Sequence, residues 1–109
     1  MRKVVVVLAA MFAFVMGVQA ANPIAGITRA RAREDLKQQL MKMYEGRYTA
    51  VEAMLEEGMN DFDTLCEVPD TEADNEILRE LLKLHYPNFS GILVLYQSNK
   101  ESYARLSRD

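Results

Sequence analysis

The chain has 109 residues, 13 Lys and Arg against 16 Asp and Glu, a net charge of −3, a 50% hydrophobic composition and one cysteine. That length holds one domain, and a single cysteine excludes a disulfide within the chain. The acidic balance argues against nucleic acid, whose phosphates need a basic surface.

The chain opens "MRKVVVVLAAMFAFVMGVQA". Arg2 and Lys3 give a positive start, Val4 to Met16 is an uninterrupted apolar run, and Val18 and Ala20 are small residues suited to a cut after Ala20. This is the three-part pattern of a secretory signal peptide. The alternative is an uncleaved anchor, but the run is short of the roughly 20 residues that span a bilayer. The pattern predicts a signal peptide over residues 1–20, an exported product, periplasmic or extracellular, and no stable membrane insertion after cleavage. The mature chain is then a flexible lead-in over 21–27 and one helical domain over 28–109. So small a domain buries roughly 60% of its unfolded surface and must hold by core packing.

"ANPIAG" carries Pro23 and Gly26 and reads as the lead-in. Thr28 is placed to cap a helix whose apolar residues Ala32, Leu36, Leu40, Met43 and Tyr44 fall at three- and four-residue spacing. Gly46 interrupts. Thr49 and Glu52 have capping-box spacing, so a second helix is expected through Val51, Met54 and Leu55, ending at Gly58. One long helix bent at Gly46 is the alternative, but it would put Arg47 in the middle of the apolar stripe at a desolvation cost. "MNDFDTLCE" then sets Met59, Phe62, Leu65 and Cys66 on one side of a short helix.

Pro69 stops that element, and Asp70 or Thr71 can cap the next, with Asp74 favouring Thr71. Ile77, Leu78, Leu81, Leu82 and Leu84 form a broad apolar arc that His85 joins, and Pro87 closes the helix. The last segment, "SGILVLYQSNKESYARLSRD", is apolar all round from Ile92 to Tyr96 and amphipathic through Tyr103 and Leu106. No second strand-like segment exists to pair with "GILVLY", so helix is expected. The fold class is all-α, a small bundle of about four helices.

Several motifs suggest chemistry and fail on inspection. "DTEADNEILREL" resembles a calcium loop but has Asn75 where the glycine belongs and Leu81 where the bidentate glutamate belongs. Met41, Met43, Met54 and Met59 could suit Cu(I), yet residues two apart on a helix point away from each other, and thioethers commonly fill core gaps. Cys66 and His85 are the candidates for a nucleophile and base, but Glu67 and neighbouring acids disfavour a thiolate. No enzyme is expected, and no cofactor or metal.

What remains points to association. Residues 28–49 hold six Lys/Arg against three Asp/Glu, residues 50–81 eleven Asp/Glu against Arg79, and residues 82–109 four Lys/Arg against two. The basic and acidic segments either face each other or offer an acidic face to a basic partner. Arg29, Arg33 and Arg47 lie along an apolar stripe and could hold a carboxylate-bearing partner or pair within the chain. Ile92, Leu93 and Val94 are either core or an interface. Cys66 is either buried or an intermolecular link or redox thiol. The function read from the sequence is a non-catalytic interaction protein that self-associates, with a protein partner or a second copy. The alternative is a carrier of a small ligand or metal held between helices, in a pocket lined by His85, Tyr86 and the methionines.

Overall fold

A computed structural model describes residues 22–108, which form four helices with no strand among the described residues. They are α1 (Arg29–Met43), α2 (Tyr48–Cys66), α3 (Glu72–His85) and α4 (Phe89–Arg108). The proposed signal peptide lies outside the described residues.

Each boundary has a local cause. Thr28, in extended backbone, accepts a hydrogen bond from the Arg31 amide at 3.2 Å and so caps α1. Gly46 sits at φ 79°, in the left-handed region that a glycine enters without a Cβ clash, and the chain reverses there. Thr71 caps α3 by accepting from the Asp74 amide at 3.1 Å, while its hydroxyl donates to Asp74 Oδ2 at 2.6 Å. Asn88 caps α4, its Oδ1 accepting from the Gly91 amide at 3.0 Å.

Two expectations about α2 are corrected. The helix starts at Tyr48 with Arg47 at the cap position and no side-chain cap bond, so Thr49 is a helical residue rather than the cap. The helix also runs through Gly58 to Cys66, absorbing the expected short helix. Gly58 is a packing device: a Cβ there would stand 2.5 Å from Leu36 Cδ2, so its absence lets α1 and α2 approach closely. The apolar period of Val51, Leu55, Met59, Phe62 and Leu65 carries on past it, and all five are buried.

α1 pairs with α2 and α3 with α4, and the two hairpins join through α2 against α4. The helices therefore succeed one another in space as α1, α2, α4, α3. The shared core centres on Phe62, Leu65, Leu78, Phe89 and Ile92. Phe89 meets Phe62 edge-on at 5.0 Å between centroids and Tyr86 at 5.6 Å. Such pairs add about 0.5–1.5 kcal/mol each beyond their burial. The segment read as a lead-in is held against the end of α2. Ile24 is fully buried, and Asn22 donates to the Leu65 carbonyl at 2.9 Å while accepting from the Ile24 amide at 2.8 Å.

Candidate functional site

The residues singled out above divide. Arg29 forms a two-pronged pair with Asp63 on α2, at 3.1 and 3.2 Å, and the hydrogen bond and charge of that carboxylate raise the guanidinium pKa. The basic first segment and the acidic middle thus meet within the chain at this point. Solvent screens the pair, which serves register more than stability. Arg33 is exposed beside Glu52 and Glu56, and Arg47 stacks over the Tyr44 ring at 5.3 Å. The three arginines do not form one patch with the α4 residues.

Ile92 is fully buried and Leu93 partly so, whereas Val94 is 64% exposed. A helix wedged between α2 and α3 buries two sides, which accounts for the apolar width of that turn. Cys66 ends α2 half-buried against the core. Burial, then Asp63 and Glu67, push its thiol pKa up, with Arg29 pulling weakly the other way. A thiol so placed is a poor nucleophile.

His85 and Tyr86 come together in a notch between the α1–α2 hairpin and the α3–α4 turn, about 420 Å³ in volume. Leu36, Leu40 and Phe89 reach it from the core, Met43, Met54 and Leu84 border it, and among the described residues no Lys, Arg, Asp or Glu lines it. In a chain 27% charged, an uncharged concavity edged by a 70%-exposed leucine is a distinct surface. Tyr86 also ties the notch to α1, its hydroxyl donating to Asp35 Oδ2 at 2.5 Å. Burial, then that bond and charge, push the phenol up to about 12.

Two further concavities flank α3. One, between α1 and α3, is lined by Arg31, Arg79 and Lys83 around Ile27 and Leu82. The other, about 490 Å³, lies between α3 and the end of α4, with Ile77, Leu81 and Tyr103 beneath a row of Glu72, Glu76 and Glu80. Residues four apart share a helix face, so that row is one continuous acidic edge.

The sequence reading missed a buried polar cluster. Asp74, only 1% exposed, accepts from Lys100 Nζ at 2.8 Å, from the Tyr96 hydroxyl at 2.9 Å and from Thr71. Burial alone would raise its carboxyl pKa, but the bonds from Lys100, Thr71 and Tyr96 outweigh it and hold the group below the ordinary range. The available signal was Tyr96 and Lys100 four apart on one face of α4. The cluster's groups satisfy one another, which marks it as a tie between helices rather than an open site.

Among the described residues no group of three or more His, Cys, Asp or Glu could hold a metal ion, and no helix is long and apolar enough to cross a membrane. Comparison with protein-family models, curated proteins and solved structures found no match to this chain.

Proposed function

We propose that this chain is a small exported helical protein, without catalysis, that works by protein–protein interaction and associates with itself. The observation that carries the reading is the grouping of its exposed apolar side chains. Met43, Met54 and Leu84 edge one uncharged notch, and Leu95, Tyr103 and Leu106 follow one another along α4. Apolar surface gathered in this way, with charge excluded from its centre, has the composition of an interface core. Methionines at such a surface adapt to a partner's shape. Export rests on Arg2, Lys3, the Val4 to Met16 run and Ala20.

The test is molar mass by light scattering over a range of concentration, with and without reductant. A dimer that survives reductant supports the reading, and one lost on reduction makes Cys66 the link. A monomer in both removes self-association. Intact mass of the exported product checks the cut after Ala20.

A second reading has its own observation. His85 and Tyr86 line the notch together with Met43 and Met54, and its volume falls within the range of small-ligand pockets. A small adduct in native mass spectrometry, lost in Leu84→Glu, would shift the function to carriage.

A further inference from the structure

We infer that the second copy binds at the acidic groove between α3 and α4, and that the segment it inserts is the end of its own α4. This inference rests on the self-association reading above and assigns it a site. Every residue from Tyr103 to Arg108 is exposed, and beyond Tyr103, which is 54% exposed and borders the groove, this stretch of α4 adds no buried side chain to the core among the described residues. It nevertheless carries Tyr103 and Leu106, the latter 73% exposed, together with Arg105 and Arg108. A helix end with so little packed against it has little to hold it in water, since helical stability in proteins comes mostly from a buried face.

The groove beside it offers what that end lacks. Ile77 and Leu81 give it an apolar floor, and Glu72, Glu76 and Glu80 run along its edge. Among the described residues no Lys or Arg lines it. Among the described residues Arg105 has local partners alone, Glu101 at 3.9 Å and the Ser102 hydroxyl at 3.2 Å, both on its own helix. The stretch from Tyr103 to Arg108 is therefore apolar and basic, and the groove apolar and acidic.

The occupant is a second copy because tail and groove share one face of the molecule. Tyr103 belongs to both, lining the groove and opening the exposed turn. A two-fold axis beside Tyr103 sets the two α4 helices antiparallel and brings the Tyr103 to Arg108 stretch of each alongside the other copy's groove. Arg105 and Arg108 then face the glutamate row. Two-fold symmetry repeats every contact, so a modest tail-in-groove area is doubled, and no tail is left to seed a filament. Opposite charges across the contact set its register and speed its formation.

Charge exchange tests the site. The purified protein should be a dimer at micromolar concentration, and Glu76→Arg with Glu80→Arg, or Arg105→Glu with Arg108→Glu, should each weaken it at least tenfold. Mixing the two variants should restore the dimer, since every tail then meets a groove of opposite sign. Leu106→Ser should weaken it also, and this residue touches nothing whose loss would unfold the chain. Circular dichroism confirms that each variant is folded. A wild-type dimer indifferent to all three variants overturns this site and leaves self-association standing. A wild-type monomer at every concentration overturns both.

Discussion

The Tyr96 hydroxyl, midway along α4, donates at 2.9 Å to Asp74 Oδ1 in the first turn of α3, and Lys100 one turn on reaches the same oxygen at 2.8 Å. One buried carboxylate thus pins two helices in a single register. Asparagine there keeps one acceptor oxygen but loses the charge and the second oxygen, so the Tyr96 hydroxyl no longer meets a carboxylate, while Lys100, nearly half exposed, can turn to water. Asp74→Asn should therefore cost about 2–3 kcal/mol at neutral pH, less than for a fully buried ion pair. Tyr96→Phe should cost about 1–2 kcal/mol, because Lys100 and Thr71 still serve the carboxylate. Urea unfolding of the three proteins measures both.

The same contact fixes a pH dependence. The folded Asp74 carboxyl lies below its ordinary value of about 3.9, so the folded state prefers the ionised form. Its contribution is full above that ordinary value and is lost as pH falls through the lower folded value. The gap in urea midpoint between wild type and Asp74→Asn should hold steady from pH 7 to about pH 5 and close below about pH 4. A gap unchanged into acid would mean that the carboxylate charge contributes nothing.

Tyr86 and Tyr96 predict the opposite behaviour in alkali. Burial, then a hydrogen bond to a carboxylate and its charge, push each phenol up to about 12, through Asp35 and Asp74 respectively. A raised pKa favours the neutral phenol in the fold. The stabilisation is full below the unfolded value of about 10 and is lost as pH rises through about 12. Of the five tyrosines, these two should give phenolate absorbance only near pH 12, together with the loss of helix. Tyr86→Phe and Tyr96→Phe should each remove one late-titrating phenol.

What the residues made legible was local. The caps at Thr28 and Thr71, the reversal at Gly46 and the stop before Pro87 each depend on a few neighbours, and each stands where its chemistry puts it. What they hid was partnership across the fold. Gly58 reads as a helix terminator until Leu36, 22 positions earlier, is seen occupying the space of its missing side chain. Asp74 reads as a capping acid because Lys100 is far along the chain. Ile92 to Tyr96 offered core and interface as alternatives, and burial splits the turn, with Ile92 in the core and Val94 exposed. His85 and Tyr86 do meet in one concavity, and of the methionines read as possible lining beside them, Met43 and Met54 stand at its edge.

Gly58 provides a test of close packing. Alanine at an ordinary helix position would gain about 1 kcal/mol over glycine. Here the new methyl meets Leu36 Cδ2 at 2.5 Å, so the tip of that leucine must shift, into the core or toward the notch it lines. Overpacking of that kind costs up to about 1–3 kcal/mol and offsets the helical gain. Gly58→Ala should therefore stabilise a Leu36→Ala background by more than it does the wild type. Thermal or urea unfolding of the four proteins gives the coupling, and equal effects in both backgrounds would remove the steric account.

Cys66 lies within reach of opposing charges, and their signs make its reactivity predictable. Burial raises its pKa first, Asp63 and Glu67 raise it further, and Arg29 lowers it. Less thiolate means slower alkylation, so iodoacetamide at pH 7.5 should modify the folded protein roughly tenfold or more slowly than the urea-unfolded chain. Asp63→Asn removes a negative charge and releases Arg29 from its pair, and the rate should rise several-fold. Arg29→Gln leaves Asp63 uncompensated, and the rate should fall. Because Arg29 and Asp63 are both exposed, neither change opens the core. Burial by itself would slow the thiol equally in all three proteins, so opposite responses to the two substitutions identify the electrostatic part.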